Sequence, residues 1–148
     1  MKVIIRKPIS QDLEALVALG IEFAEKSKEY HNIAVDKTKV RKLVERILSG
    51  ADSTMVSLVC EVDGKVGGFI FGVIVQPLFS NDYILQEMAM YSLGKGGMDL
   101  IKAFENEAVS RKISKICLGS KPAFCDLGKI YKRRGSKLLE EHYLKTED

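Results

Sequence analysis

The residues with the most chemical content fall close together in the chain. Glu87 is a carboxylate inside the otherwise apolar run Leu85-Gln86-Glu87-Met88-Ala89-Met90. Burying an ionised carboxylate is costly unless it is paired, hydrated or put to work as an acid or base. Strand alternation could instead turn it to solvent. Directly after it, Ser92-Leu93-Gly94-Lys95-Gly96-Gly97-Met98 separates that run from a long amphipathic segment. Glycines let main chain turn sharply and approach another molecule closely. A helix starting there leaves its first N–H groups without partners at an electropositive end. Strand, glycine turn and helix start together make a phosphate cradle built from main chain.

Two common nucleotide cradles are excluded. A P-loop needs GxxxxGK followed by Ser or Thr, and Lys95 is followed by Gly96. A dinucleotide fingerprint needs GxGxxG and an acidic residue closing the next strand; this chain has Gly94-Lys95-Gly96-Gly97, and its next strand ends at Leu118-Gly119-Ser120. Cys60, Cys117 and Cys125 form no CxxC pair and have no histidines at metal spacing, so they read as reduced thiols. Cys125 has no basic partner by spacing and reads as a bland thiol. Lys129, Lys132, Arg133, Arg134 and Lys137 form a basic cluster: a solvated face, an anchor for a phosphate, or a contact for an acidic partner.

Positioning these groups takes a small α/β fold. The 148 residues suffice for one domain with a sizeable core, and an apolar share of 46% is ordinary for a globular protein. No apolar run is long enough for a membrane span, which makes the cytoplasm the expected setting. A net charge of +3 is too mild to argue for nucleic acid. Apolar periodicity predicts a strand over 2–6 and a helix over about 11–26 with Ser10 as its cap. A polar loop over 27–36 and a helix opened by Asp36 or Thr38 and stopped at Ser49-Gly50 come next. Strands over 55–62 and 66–75 are joined by Asp63-Gly64, a hairpin signal, with Gly67-Gly68 and Gly72 marking a bulge or close packing. A strand over 83–92 leads through the glycine turn to a helix over 97–112, with Leu100, Ile101, Phe104, Ala108 and Val109 on one side. A strand over 115–119, a helix over 126–134 and a strand over 138–144 complete the order. The front half is antiparallel and a parallel β-α-β unit follows it.

A strand, a glycine-rich turn, an amphipathic helix, a short strand and a helix with Ile130-Tyr131-Lys132-Arg133-Arg134-Gly135 come in the order of the GNAT acetyltransferase superfamily, which the chain resembles over nearly its whole length. Arg6-Lys7-Pro8-Ile9-Ser10-Gln11-Asp12-Leu13 looks like that family's opening strand and helix cap. Asp63-Gly64-Lys65-Val66-Gly67-Gly68-Phe69 resembles its second hairpin, and Ala103-Phe104-Glu105-Asn106-Glu107-Ala108 the middle of its CoA-side helix. The family turn is typically Arg or Gln, two residues, Gly, one residue, then Gly or Ala. Counting back from Gly96 puts Leu93 at the Arg or Gln position, and counting from Gly97 puts Gly94 there.

The resemblance implies an α/β fold, GNAT-like, with a mixed, mostly antiparallel central sheet flanked by helices in one domain over 1–148. It implies acetyl-CoA as cosubstrate, no metal, and acetyl transfer to an amine by direct attack in a ternary complex. Gly94, Lys95, Gly96, Gly97 and Met98 would hold the pyrophosphate, and Lys129 the 3′-phosphate. The main chain of Met88, Ala89, Met90, Tyr91 and Ser92 would pair with the pantetheine arm like an added strand. Glu87 would be the general base. Tyr131, in Tyr-x-x-x-Gly, would be the general acid toward the thiolate, or else a core tyrosine closing the last helix onto the sheet. Tyr30, His31, Phe79 and Asp82 are the candidates for the acceptor site, the acceptor being a small-molecule or peptide amine, and the family's edge strands suggest a homodimer. The alternative is a catalytically silent protein of the same fold acting in binding or assembly; a nucleic-acid module fits less well.

Overall fold

The computed structural model describes residues 2–121 and 125–147, and of residues 29 and 30 the backbone alone. One five-stranded sheet runs in the order β1-β2-β3-β4-β5, from β1 (Val3–Arg6), β2 (Met55–Val62), β3 (Lys65–Val75) and β4 (Ile84–Ser92) to β5 (Lys115–Cys117). The first four strands are antiparallel neighbours, and β5 lies parallel to β4. The β2–β3 hairpin turns at Asp63 and Gly64, both at positive φ (50° and 83°), as the two-residue turn that matches strand twist requires. Gly67 is the extra residue of a bulge, because Cys60 pairs with Gly68 and Glu61 with Val66.

The helices divide between the two faces. On one lies α3 (Gly97–Ser110), whose Leu100, Phe104 and Ala108 are fully buried against Val56, Leu58 and Cys60 of β2, Ile70 of β3 and Leu85 of β4. Gly72 is where this packing is closest. A Cβ there would stand 2.7 Å from the Gln86 carbonyl and strike the Phe104 ring. On the other face lie α1 (Leu13–His31) and α2 (Lys37–Ser49), covering Val59, Phe69 and Tyr91 with Leu16, Val17, Leu19 and Val44. The short α4 (Gly128–Arg133) follows β5.

Several expectations are corrected. Residues 27–31 are helical, not loop. Ser27 is buried with its hydroxyl donating to the Phe23 carbonyl, and Asn32 ends α1 in the left-handed conformation that asparagine tolerates. Ser10 does not cap the first helix; it opens a single 3-10 turn, Ser10–Asp12, closed by the Asp12 carboxylate accepting from the Ile9 amide at 2.8 Å, and no side chain caps α1 itself. Asp36, by contrast, caps α2 by accepting from the Lys39 amide. Val109 is 72% exposed, since the residue after Ala108 turns about 100° off the sheet-facing side. Residues 136–147 form no strand, and Leu138, Leu139, Tyr143 and Leu144 are exposed. The edge next to them, β5, is only three residues long and offers little for a strand to register on.

Candidate active site

The two parallel strands separate early. They pair only at Ile84–Lys115, Leu85–Ile116 and Gln86–Cys117, whereas β4 continues to Ser92. Among the described residues, the β4 edge facing β5 therefore has no strand beside it beyond Gln86. A bulge falls at the same place. Gly72 pairs with Glu87 and Phe71 with Ala89, which leaves Met88 as the extra residue. A cavity of about 530 Å³ occupies the splay. It is bounded by Met90, Tyr91 and Ser92 of β4, by the glycine turn, by Ile101 of α3, by Leu127 and Ile130 near α4, and by Phe23 of α1. Because α3 and α1 pack on opposite faces of the sheet, the cavity reaches both faces through the gap between β4 and β5.

The shape of the turn is set by one of its glycines. Gly96 caps α3 at φ 102°, a conformation that costs side-chain-bearing residues about 1–2 kcal/mol. A Cβ at Gly96 would also run into the Cys60 sulfur lying beneath it. Gly94 and Gly97 face neither constraint, so Gly96 is the one glycine of the turn that its backbone and packing require. The turn carbonyls are held from below. Ser92 Oγ donates to those of Gly94 (3.4 Å) and Lys95 (3.3 Å), and Cys60 Sγ donates to that of Lys95 at 3.7 Å. The first-turn amides of Gly97, Met98 and Asp99 have no intrahelical acceptor, and all three residues line the cavity. This concentrates N–H donors and the positive end of the α3 dipole at one wall, the arrangement that suits a phosphate.

Glu87 stands in the throat of the splay. Burial pushes its carboxyl above the usual carboxylate range, opposed by the Lys121 ammonium and the nearby Gly119 amide. Tyr131 is 6% exposed, and its hydroxyl donates to the Gly119 carbonyl at 3.0 Å. Burial, the Glu87 charge and Cys125 raise its pKa, so it keeps its proton well past neutrality. Gly119, just beyond β5, thus has Glu87 on one side and Tyr131 on the other.

No protein-family model and no curated protein sequence matches the chain. Solved structures do. A ribosomal-protein-alanine N-acetyltransferase from Brucella melitensis biovar Abortus 2308 superposes with a TM-score of 0.73 at 20% identity, over 99% of this chain and 100% of that one. The chain has the GNAT fold. A predicted acetyltransferase with acetyl-CoA from Clostridium acetobutylicum gives 0.69 at 18% identity, over 99% and 96%. An aminoglycoside acetyltransferase in complex with sisomicin, from an uncultured soil metagenomic sample, gives 0.67 at 15% identity, over 99% and 97%.

Within this GNAT frame the residues singled out in the sequence fall into two groups. Glu87, Met90, Tyr91, Ser92, Gly94, Lys95, Gly96, Gly97 and Met98 come together around the cavity. Met88, Ala89 and the exposed Lys129 do not line it. Tyr131 packs behind its wall, next to Ile130, which does. The acceptor candidates are scattered. His31 is in the last turn of α1, where its Nδ1 accepts from the Ile33 amide; Tyr30 precedes it, with its side chain outside the described residues. Phe79 is 95% exposed, and Asp82 pairs with Lys115 at 3.1 Å. Both belong to the loop before β4, at the opposite end of that strand from the turn. Sequence reasoning missed Phe23, Asp99, Gly119 and Lys121, all of which line the cavity. A signal for Gly119 and Lys121 existed. They follow the carboxyl end of a strand parallel to β4, and ligands in parallel units bind at carboxyl ends.

Proposed function

We propose that this protein is an acyltransferase that takes acetyl-CoA as cosubstrate and passes the acetyl group to an amine. The observation carrying this reading is the open edge of β4, which among the described residues has no strand partner beyond Gln86. That edge leads toward the α3 start, beside the half-buried Glu87 carboxyl, in one cavity that reaches both faces of the sheet. A long, mostly neutral arm ending in a pyrophosphate matches that surface. The open edge offers alternating N–H and C=O groups to the arm, and the turn offers its amides and Lys95 to the phosphates. When bound, acetyl-CoA supplies an activated acyl thioester.

The chain's own groups fit the rest. Glu87, whose pKa burial raises, is suited to take a proton from an incoming ammonium. Tyr131 holds its proton and has the properties of the acid for the leaving thiolate, once its hydroxyl releases the Gly119 carbonyl. A cavity that reaches both faces suits two substrates that meet in a ternary complex, without a covalent enzyme intermediate.

Calorimetry with acetyl-CoA tests the reading. The native chain is expected to bind, and Gly96→Glu, which sets a charged side chain over Cys60 and against the phosphates, is expected not to bind. Circular dichroism of the variant serves as the control for folding. A folded native chain that gives no binding heat at millimolar acetyl-CoA overturns the proposal.

A further inference from the structure

Lys121 lines the cavity on the side of α1. The residue follows Gly119 out of β5 and reaches the α1 side of the cavity, where its Nζ lies 4.8 Å from the centroid of the Phe23 ring. That ring is itself held in place. It meets Phe69 edge-on at 6.1 Å and Tyr91 at 5.9 Å, so the ammonium rests on a fixed aromatic platform. Among the described residues Lys121 makes no ion pair with a carboxylate, and Glu87 is a charge close enough to feel it. A second ammonium stands on the same face. Lys26 Nζ is 5.3 Å from the Tyr91 ring centroid, shared with Glu22 at 3.8 Å.

An amine arrives at Glu87 as a cation, beside Lys121. A polycationic acceptor would add further like charge in a partly dewatered throat, where Coulomb repulsion is less screened than in bulk water. An acceptor with an anionic group next to its amine would pair that group with Lys121 and leave its ammonium to Glu87. We propose that the acceptor is an amine bearing its own carboxylate, of the α-amino-acid type, and that Lys121 is the residue that selects it. This inference rests on the acetyl-transfer reading above and narrows its acceptor.

A matched pair of probes isolates the charge: L-phenylalanine and L-phenylalaninamide, titrated into the protein saturated with CoA and assayed with acetyl-CoA. The acid is expected to bind more tightly than the amide. Lys121→Gln is expected to lose on the order of tenfold of the affinity for the acid, with little change for the amide, and Lys121→Glu to reverse the preference. Acetyl-CoA affinity of both variants, measured by calorimetry, is expected to stay at the native value. Equal handling of the two probes, absence of binding by both, or preference for the amide overturns the inference while leaving the cofactor reading intact. A loss of acetyl-CoA affinity in Lys121→Gln also overturns it, because the ammonium would then belong to the cofactor's phosphates. Failure of the native chain to bind acetyl-CoA is a separate result and strikes the parent reading.

Discussion

Glu87 couples the chemistry of the site to the stability of the fold. Because burial raises its pKa, the native state holds that proton to higher pH than the unfolded chain does. Between the unfolded value of about 4.3 and the raised native value, stability therefore falls as pH rises. Glu87→Gln removes the titration. The variant should lack that fall and be more stable than the native protein above the native pKa, as urea unfolding at a series of pH values would register. Its turnover should drop on the order of 10²–10⁴-fold with acetyl-CoA affinity retained, the signature of a lost base and not of a lost binding contact. Asp99 acts in the opposite sense. Its carboxylate lies in the first turn of α3 and lines the cavity, where it suits the helix dipole but opposes a phosphate. Asp99→Asn should tighten acetyl-CoA binding several-fold by calorimetry, with the gain shrinking as salt is raised.

At the scale of elements, the glycine turn depends on a residue of another strand. Cys60 of β2 is fully buried beneath Gly96, touches the carbonyl of Lys95, and leaves no room for a Cβ. Gly96→Ala combines a strained φ with this clash and should cost about 2–4 kcal/mol, of which the clash is the larger part. Adding Cys60→Ala removes the clash but not the φ penalty. The two substitutions should therefore be non-additive by about 1–2 kcal/mol in a double-mutant cycle of denaturant unfolding; strict additivity would mean that the turn relaxes away from the sulfur at no cost. This dependence explains what was legible in the sequence. The strand, glycine turn and helix could be read locally from composition and periodicity, as could the Asp63-Gly64 hairpin and the Asp36 cap. The need for glycine at Gly96 could not, because a sulfur from β2 imposes it. Lys121 was legible only as a residue that follows the carboxyl end of a parallel strand. Its place over Phe23 is set by how β5 leaves the sheet, and no spacing in the sequence encodes that. The end of α1 was misread because its residues 27–31 are polar, and Ser27 is buried by the tertiary packing of a segment that looks solvated.

For the molecule as a whole, one ion cluster ties the first strand, the first helix and the second strand together. The Arg6 guanidinium donates to Asp12 through both terminal nitrogens, at 2.7 and 3.0 Å, and through Nε to Glu61 at 2.6 Å. Asp12 is 6% exposed and also accepts from the Ile9 amide, so its charge is fully committed to this corner. Arg6 holds the Asp12 carboxyl below the usual range, foremost through that hydrogen bond. A depressed native pKa stabilises the fold above the unfolded value of about 3.9, and the contribution is lost as pH falls through the native one. Asp12→Asn keeps the shape and deletes the charge, leaving Arg6 with Glu61 alone. Removing one member of a well-buried pair costs about 3–5 kcal/mol, and Arg6, at 27% side-chain exposure, reduces this toward about 2 kcal/mol. In a chain of 148 residues that is a fall in Tm of about 4–8 °C at neutral pH. The difference from the native protein should close as the pH is lowered through the native pKa of Asp12, since the native side chain is then neutral as well. Thermal melts of both proteins from pH 7 down to pH 2 would follow this convergence. Arg41 and Glu14 provide the contrast, because their pair joins α2 to α1 at the surface with side chains 41% and 76% exposed. Arg41→Gln should leave Tm unchanged at every pH, as expected of a screened pair that gains little from its own geometry.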